Sequence, residues 1–179
     1  KKFFEPAGEY KNVKLLSYAM QPPAMIYTSK KLVRRVADFK GLKIRSSAGV
    51  AARIIETLGA SVVTSSGPQI FEYVSKGVVD GIISNDDSIG SFRITKFLKY
   101  RFSTPKGFGT GVWSIMMNQK KWDGLSKADQ QAIDSIAGEK LAASGGAIYD
   151  AESDAELKAS SAAGIQFIEA APDVQADIR

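Results

Sequence analysis

The 179-residue sequence contains no histidine and no cysteine. Without histidine the chain lacks the commonest general base and the commonest transition-metal ligand of proteins. This absence excludes Ser-His-Asp and Cys-His catalysis, as well as zinc sites built on histidine. The absence of cysteine means that no disulfide framework organises the fold, although it is compatible with an oxidising compartment.

Long apolar runs are missing as well. No stretch approaches the roughly 18 residues of a membrane-spanning helix, because Lys, Arg or Gly interrupts the longest apolar patches. Apolar residues make up 44% of the chain and charged residues 24%. Both values are close to globular averages, which argues against a disordered chain.

The charge balance is positive, with a net charge of +5. The densest basic cluster is Lys30, Lys31, Arg34 and Arg35, and it alternates with aliphatic rather than stacking aromatic side chains. Nucleic-acid binding would require a recognisable module in addition to charge, and the sequence shows none. We therefore interpret the cluster as a solvated face and predict no nucleic-acid partner.

The middle of the chain alternates between strand and helix patterns. Apolar residues recur at helical spacing after Gly49, and Gly59 ends that pattern. A strand-helix-strand-helix-strand order predicts an α/β fold with a small parallel sheet. The predicted elements are strands 42–45, 61–64 and 78–84, with helices between them that end near Leu58 and Lys76.

The flanking segments contribute further strands and a long helix. Ser126 and Asp129 form a capping pattern, and the helix that follows is predicted to reach Ala163. Pro172 is suited to the first turn of a final helix. The predicted flanking strands are 13–20, 25–28, 97–103, 112–117 and 165–168.

Polar side chains stand at the ends of two predicted parallel strands. Arg45 ends one strand, and Ser84 and Asn85 end another. In open α/β sheets ligands bind beyond the carboxyl ends of the strands. A guanidinium offers a planar fork that matches a carboxylate, and a neighbouring amide or hydroxyl adds a neutral hydrogen bond. This edge is the predicted ligand site.

Two other patterns carry less weight. Asp86 and Asp87 are adjacent carboxylates, which are more typical of a helix N-terminus than of a metal site. The glycines at 107, 109 and 111 do not form a dinucleotide fingerprint. The third glycine is not at the required offset, and the strand-loop-helix context is absent. A phosphate loop and a nucleophile elbow do not occur either. We therefore predict no cofactor and no metal.

Three sequence blocks resemble one protein family in order and nearly in spacing. They are D-F-K-G-L-K-I-R ending at Arg45, G-V-V-D-G at 77–81, and N-Q-K-K-W-D-G-L-S-K-A-D-Q-Q-A-I at 118–133. These blocks resemble the DctP-like solute receptors of TRAP transporters, from about residue 10 to the C-terminus. The resemblance implies one lobe of a two-lobed periplasmic solute-binding fold, with hinge strands and a long C-terminal helix.

The resemblance also implies a domain division. We expect residues 10–110 to form the ligand-clamp lobe and residues 111–179 to supply a returning strand, the long helix and C-terminal elements that bridge the lobes. Family members are longer, so we expect that this chain lacks an N-terminal lobe. Phe3 and Phe4 resemble the end of a helix from that lobe.

Site residues carry over from the family one by one. The arginine that closes the K-G-L-K-I-R block pairs with the ligand carboxylate, which indicates Arg45. An asparagine past the V-D-G block helps to hold that carboxylate. Counting from Arg45 selects Asn85, whereas counting from Asp80 selects Ser84, and the chemistry favours Asn85.

Departures from the family pattern concern the body of the ligand. Met25 stands where some sugar-acid receptors have a second arginine, and Gly67 stands where many have an aromatic residue. We therefore predict a ligand with one carboxylate and an apolar or aromatic body. Phe108 and Trp113 are further candidates to line it, together with Met25.

The resemblance implies a function without a chemical step. We expect a periplasmic, exported protein that captures a small organic acid by hinge closure and delivers it to the membrane subunits of a TRAP permease. Two alternatives remain open from the sequence: the effector-sensing domain of a transcription regulator, and an enzyme that works without histidine.

Overall fold

The computed structural model describes residues 10–178 and shows an α/β chain. Most elements lie close to the predicted positions, because strand and helix patterns alternate clearly in this sequence. The strands are β1 (Val13–Met20), β2 (Met25–Thr28), β3 (Lys43–Ser46), β4 (Ser61–Thr64), β5 (Gly81–Ser84), β6 (Tyr100–Ser103), β7 (Val112–Asn118) and β8 (Gln166–Glu169). The helices are α1 (Val50–Thr57), α2 (Ile70–Ser75), α3 (Asp86–Ser91), α4 (Gln119–Asp123), α5 (Lys127–Ile136), α6 (Glu139–Ala162) and α7 (Pro172–Ile178).

The main sheet has six strands in the order β4-β3-β5-β2-β6-β8. Strand β3 pairs in parallel with both β4 and β5, which confirms the predicted parallel arrangement. Strand β2 runs antiparallel to β5 and β6, and β8 is parallel to β6. The start of β2 therefore lies at the same edge of the sheet as the carboxyl ends of β3, β4 and β5.

Each face of this sheet is covered by its own apolar cluster. Successive strand residues point to opposite faces, so Ile26 and Ile83 join one cluster while Tyr27 and Ile82 join the other. Helices α1 and α7 cover the first face, and α2 and α3 cover the second. Their contributing side chains include Ile55 and Val174 on the first face and Ile70, Val74 and Ile89 on the second.

The described residues divide into two compact units. One consists of residues 10–21 and 111–149, and the other of residues 22–110 and 150–178. The predicted division placed a single boundary after residue 110. The structure instead groups residues 10–21 with 111–149, because β1 pairs with β7, and residues 150–178 with 22–110, because β8 pairs with β6. Strand pairing thus joins segments that are distant in sequence, which the order of elements alone does not reveal.

The predicted helix from Ser126 to Ala163 is interrupted. Its start is confirmed, since Ser126 Oγ accepts a hydrogen bond of 3.1 Å from the Asp129 amide. Helix α5 ends at Ile136, and Gly138 adopts a left-handed φ of 69°. The amide of Gly138 donates to the Leu16 carbonyl at 2.7 Å, so strand β1 holds the break in place.

Strand β5 begins later than predicted, at Gly81 rather than Val78. The amide of Asp80 donates to the Lys43 carbonyl at 2.7 Å, and the Asp80 carboxylate accepts from the Lys43 amide at 2.8 Å. A Cβ on Gly81 would lie 2.2 Å from the Tyr27 carbonyl oxygen, so only glycine fits there. The V-D-G block therefore has a structural role in joining β3, β5 and β2.

One predicted strand is shorter in the structure. The predicted strand from Phe97 begins only at Tyr100, because residues 95–97 form a 3-10 turn. Phe3 and Phe4 lie outside the described residues. Within residues 10–178, no helix is both long enough and apolar enough to cross a lipid bilayer.

Candidate functional site

Arg45 lies at the carboxyl end of β3 and is only 7% exposed. Its Nε donates to Ser65 Oγ at 3.1 Å, and its Nη2 donates to the Ser65 carbonyl oxygen at 2.6 Å. Ser65 directly follows β4, the strand next to β3, so two neighbouring strand ends orient the guanidinium. The N–H groups on Nη1 and the second N–H on Nη2 remain for another acceptor.

No carboxylate of residues 10–178 forms an ion pair with Arg45. Burial lowers the pKa of Arg45, yet an arginine remains protonated in proteins. A buried charge without a counter-charge is costly and is normally paired. The site therefore presents a cation that an anionic ligand would neutralise.

Arg101 provides a contrast on the same face of the sheet. Register places Arg45 opposite Ile82, Ile82 opposite Tyr27, and Tyr27 opposite Arg101. We call these four residues the cross-strand row. Arg101 binds Asp86 in bidentate fashion, with Nε to Oδ1 at 2.9 Å and Nη2 to Oδ2 at 2.7 Å.

Tyr27 completes the Asp86 contacts. Its hydroxyl donates to Asp86 Oδ1 in the buried interior. Burial, and secondarily the negative charge of Asp86, raise the pKa of Tyr27, so the hydroxyl keeps its proton. For Arg101, burial lowers the pKa, but the hydrogen bonds and charge of Asp86 outweigh it and raise the pKa overall. The acid at position 86 is thus fully engaged by the fold.

Asn85, Ser84 and Met25 lie at the same edge of the sheet as Arg45. Met25 is the register partner of Ser84, and both are partly buried. The Asn85 side chain does not cap α3. Its Nδ2 instead donates to the Pro22 carbonyl oxygen. This bond orients the amide and leaves one N–H of Nδ2 for another acceptor.

Gly67 borders a cavity of about 500 Å³. It lies two residues after Ser65, the partner of Arg45. A Cβ at Gly67 would meet only the Phe92 ring, at 3.8 Å and 3.9 Å, so the position has room for a side chain. The residues that line the cavity are Gly67, Pro68, Phe71, Ser91, Phe92 and Arg93.

The two aromatic candidates lie in different surroundings. Phe108 is 5% exposed and packs against Phe102 with ring centroids 5.9 Å apart. This places Phe108 in the apolar core of its unit. Trp113 is 57% exposed on β7, in the unit formed by residues 10–21 and 111–149.

Several residues of the site were not predicted. Ser65 holds Arg45, but a serine after a strand carries no sequence signal for that role. The pair Asp86–Arg101 was also missed, although Asp86 does begin a helix as predicted. Asp87 is 7% exposed, and its Oδ1 has no hydrogen-bond partner among the described residues. Burial is the main cause that raises the pKa of Asp87.

Comparison with known proteins identifies the family. The chain belongs to the DctP family, bacterial extracellular solute-binding protein family 7, which it matches over residues 2–179. Family membership confirms the resemblance seen in the sequence blocks. A curated relative, the outer membrane transporter protein TsaT of Comamonas testosteroni, is 33% identical over 174 residues, covering 93% of this chain and 49% of the relative.

Two solved structures share the fold. A TRAP periplasmic solute binding protein from Bordetella bronchiseptica, with bound (R)- and (S)-mandelate, is similar at a TM-score of 0.92 and 29% identity, covering 99% of this chain and 56% of that one. A marine metagenome TRAP solute binding protein specific for aromatic acid ligands, in complex with metahydroxyphenylacetate, has a TM-score of 0.92 and 26% identity, covering 98% and 56%. The chain thus spans about half the length of these relatives.

Proposed function

We propose that this chain belongs to a receptor that binds a small aromatic monocarboxylate, with Arg45 as the carboxylate contact. The observation that carries this proposal is a buried guanidinium that has no carboxylate partner in residues 10–178. The Asp86–Arg101 pair shows that the same fold can neutralise a buried arginine internally. At Arg45 the neutralising charge comes from the ligand.

The carboxylate contacts follow from the donors that remain unused. Two hydrogen bonds to Ser65 hold Nε and Nη2 of Arg45, so the ligand carboxylate accepts from Nη1 and from the second N–H of Nη2. The free N–H of Asn85 supplies a neutral donor from the neighbouring strand end. Ser84 is the alternative second contact. The charge-assisted hydrogen bonds from Arg45 to the carboxylate are about twice as strong as neutral hydrogen bonds.

The apolar body of the ligand is inferred from two uncharged positions, Met25 and Gly67. Met25 brings a polarizable thioether to the edge strand beside Ser84. Gly67 leaves space beside the Phe92 ring. Two relatives bind mandelate and metahydroxyphenylacetate, both of which join one carboxylate to a phenyl ring. The core position of Phe108 favours a structural role for that residue.

The cellular role is proposed from the family. The receptor works outside the cytoplasmic membrane, closes by a hinge around its ligand, and delivers the acid to the membrane subunits of a TRAP permease. No chemical step, cofactor or metal takes part. Family membership favours this role over a regulator domain or an enzyme.

The direct test is an NMR titration of this chain with benzoate, which detects even weak binding. Benzamide is the matched ligand control, since it keeps the ring and removes the charge. Arg45→Ala should abolish benzoate binding. Arg53→Ala is the matched protein control, because it removes the same charge from an exposed site on α1. Equal binding of benzoate and benzamide, or unchanged binding in Arg45→Ala, would overturn the proposal.

A further inference from the structure

The connection between β5 and α3 is tied to the sheet at two successive residues. The Asn85 side chain donates to the Pro22 carbonyl, just before β2. The Asp86 carboxylate, 5% exposed, is held by Tyr27 from β2 and Arg101 from β6. One short turn is therefore anchored to the segment just before β2 through Asn85, and to β2 and β6 through Asp86.

The Asp86 contacts leave little freedom to this turn. Asp86 Oδ1 accepts from the Tyr27 hydroxyl and Arg101 Nε, while Oδ2 accepts from Arg101 Nη2. Tyr27 is fully buried, and Arg101 is 9% exposed. The Asn85 backbone, at φ −73° and ψ 154°, directly precedes this anchored residue. The direction of the Asn85 side chain therefore depends on where Asp86 is held.

A stability role alone explains this arrangement poorly. Buried ion pairs are often no more stabilising than apolar residues of similar volume, because desolvating both charges offsets their attraction. What the pair supplies is a defined position for each partner. Holding a binding group in its bound orientation lowers the ordering cost of association.

We infer that Tyr27, Asp86 and Arg101 are positioning residues, which orient the Asn85 amide toward the ligand carboxylate without touching the ligand. This inference rests on the proposed function, since it assigns a supporting set of residues to the same carboxylate site. It also explains why the Asp86–Arg101 pair is buried next to Asn85, although Arg45 of the same site has no carboxylate partner in residues 10–178. The two arginines of the cross-strand row thus act differently, Arg45 on the ligand and Arg101 on Asn85.

The test compares two variants that each remove one buried hydroxyl donor to a carboxylate. Tyr27→Phe removes the donor to Asp86, and Ser160→Ala removes the donor to Glu156, a bond of 2.9 Å in the same unit. Each is measured for thermal unfolding, for benzoate affinity well below its Tm, and for the NMR resonance of the Asn85 side-chain amide without ligand. Arg101→Lys is a third variant that keeps the charge but removes the bidentate fork.

We expect Tyr27→Phe to weaken benzoate binding by about fivefold, the equivalent of one typical hydrogen bond. We expect it to shift the Asn85 amide resonance before any ligand is added. Ser160→Ala should lower the Tm similarly but leave both readouts unchanged. Arg101→Lys should move both readouts in the same direction as Tyr27→Phe.

The outcomes separate this inference from the proposed function. If Arg45→Ala loses benzoate binding while Tyr27→Phe and Arg101→Lys bind normally, the positioning role is overturned and the receptor function stands. Equal losses in Tyr27→Phe and Ser160→Ala would likewise reduce the role to stability. If Arg45→Ala binds benzoate as well as the parent chain does, the proposed function fails.

Discussion

Arg45 and Arg101 lie in one cross-strand row on the same face of the main sheet, but only Arg101 binds a carboxylate in the described chain. Three strand-to-strand steps separate them, which corresponds to about 14 Å at the usual strand spacing. Both side chains are nearly buried, at 7% and 9% exposure. Burial is therefore not what distinguishes them. The difference lies in the counter-charge, and it predicts a large loss of stability on replacing Arg101 but only a small change on replacing Arg45.

Replacing the paired arginine should destabilise the protein strongly. Arg101→Met leaves Asp86 as a buried carboxylate that keeps only the Tyr27 hydroxyl. Breaking a buried ion pair in this way costs about 3–5 kcal/mol. Chemical denaturation should show this loss. The triple variant Arg101→Met, Asp86→Leu and Tyr27→Phe should recover most of it, because it removes both charges and leaves no buried hydroxyl without an acceptor. A loss below about 1 kcal/mol, as for an exposed pair, would contradict the buried pairing.

Replacing the unpaired arginine should have a much smaller effect on stability. Arg45→Met gives up two hydrogen bonds to Ser65 but also removes a buried charge that has no partner. These effects oppose each other, so we expect the unfolding free energy without ligand to change by no more than about 1 kcal/mol. Benzoate binding should be lost in the same variant. A large loss of stability would show that Arg45 is structural, and the carboxylate-site proposal would weaken accordingly.

Periodicity in the sequence is sufficient to locate the strands that carry the candidate site. Alternating strand and helix patterns located β3, β4 and β5. The rule for parallel strand ends then placed Arg45, Ser84 and Asn85 at one edge. Local spacing and a general property of parallel sheets are sufficient for this placement, which does not depend on long-range contacts.

Long-range partners could not be predicted in the same way. Sequence shows an acid at Asp86 and a base at Arg101, but only the antiparallel insertion of β2 between β5 and β6 brings them together. The break before α6 also has a long-range cause, since Gly138 bonds to Leu16. Gly138 weakens helical propensity locally, but the sequence does not show that strand β1 holds the break. Local patterns thus predict which residues stand at the site, whereas long-range contacts determine how those residues are held.

Gly67 should determine the size of the ligand. Gly67→Phe places a ring in the cavity beside Phe92, and the backbone there accepts a side chain without strain. We expect binding of mandelate to weaken by about tenfold or more, because a phenyl ring contributes about 1.5–3 kcal/mol on burial. Lactate is the matched ligand, since a methyl group replaces the phenyl ring. Its affinity should change little.

The measurement is therefore the ratio of mandelate to lactate affinity in calorimetric titrations. Gly67→Ala is the control variant, because its Cβ makes only ordinary contact with Phe92 at 3.8 Å. It should keep the ratio of the parent chain. If Gly67→Phe weakens both acids equally, the substitution disturbs the carboxylate clamp and Gly67 does not set ligand size.

The buried carboxyl of Asp87 should make the free energy of unfolding depend on pH. Burial chiefly raises the pKa of Asp87 above its ordinary value of 3.8, and the charges of Glu152 and Asp86 add to the effect. A carboxyl whose pKa is raised in the folded state contributes stability that is fully present below pH 3.8 and is lost as the pH rises through the raised value. Above the raised pKa the folded protein carries a buried, ionised carboxylate whose Oδ1 has no partner in residues 10–178.

Asp87→Asn removes this charge at every pH. The variant should therefore gain stability over the parent as the pH rises above 3.8 and through the raised pKa of Asp87, and the two should converge at the acid end. Urea unfolding at a series of pH values measures the difference directly. Asp154→Asn, an exposed position on α6, is the matched control and should run parallel to the parent. Glu152→Gln removes a charge that raises the Asp87 pKa, so it should shift the transition to lower pH. A difference between Asp87→Asn and the parent that does not vary with pH would mean that Asp87 has the same pKa in the folded and unfolded states.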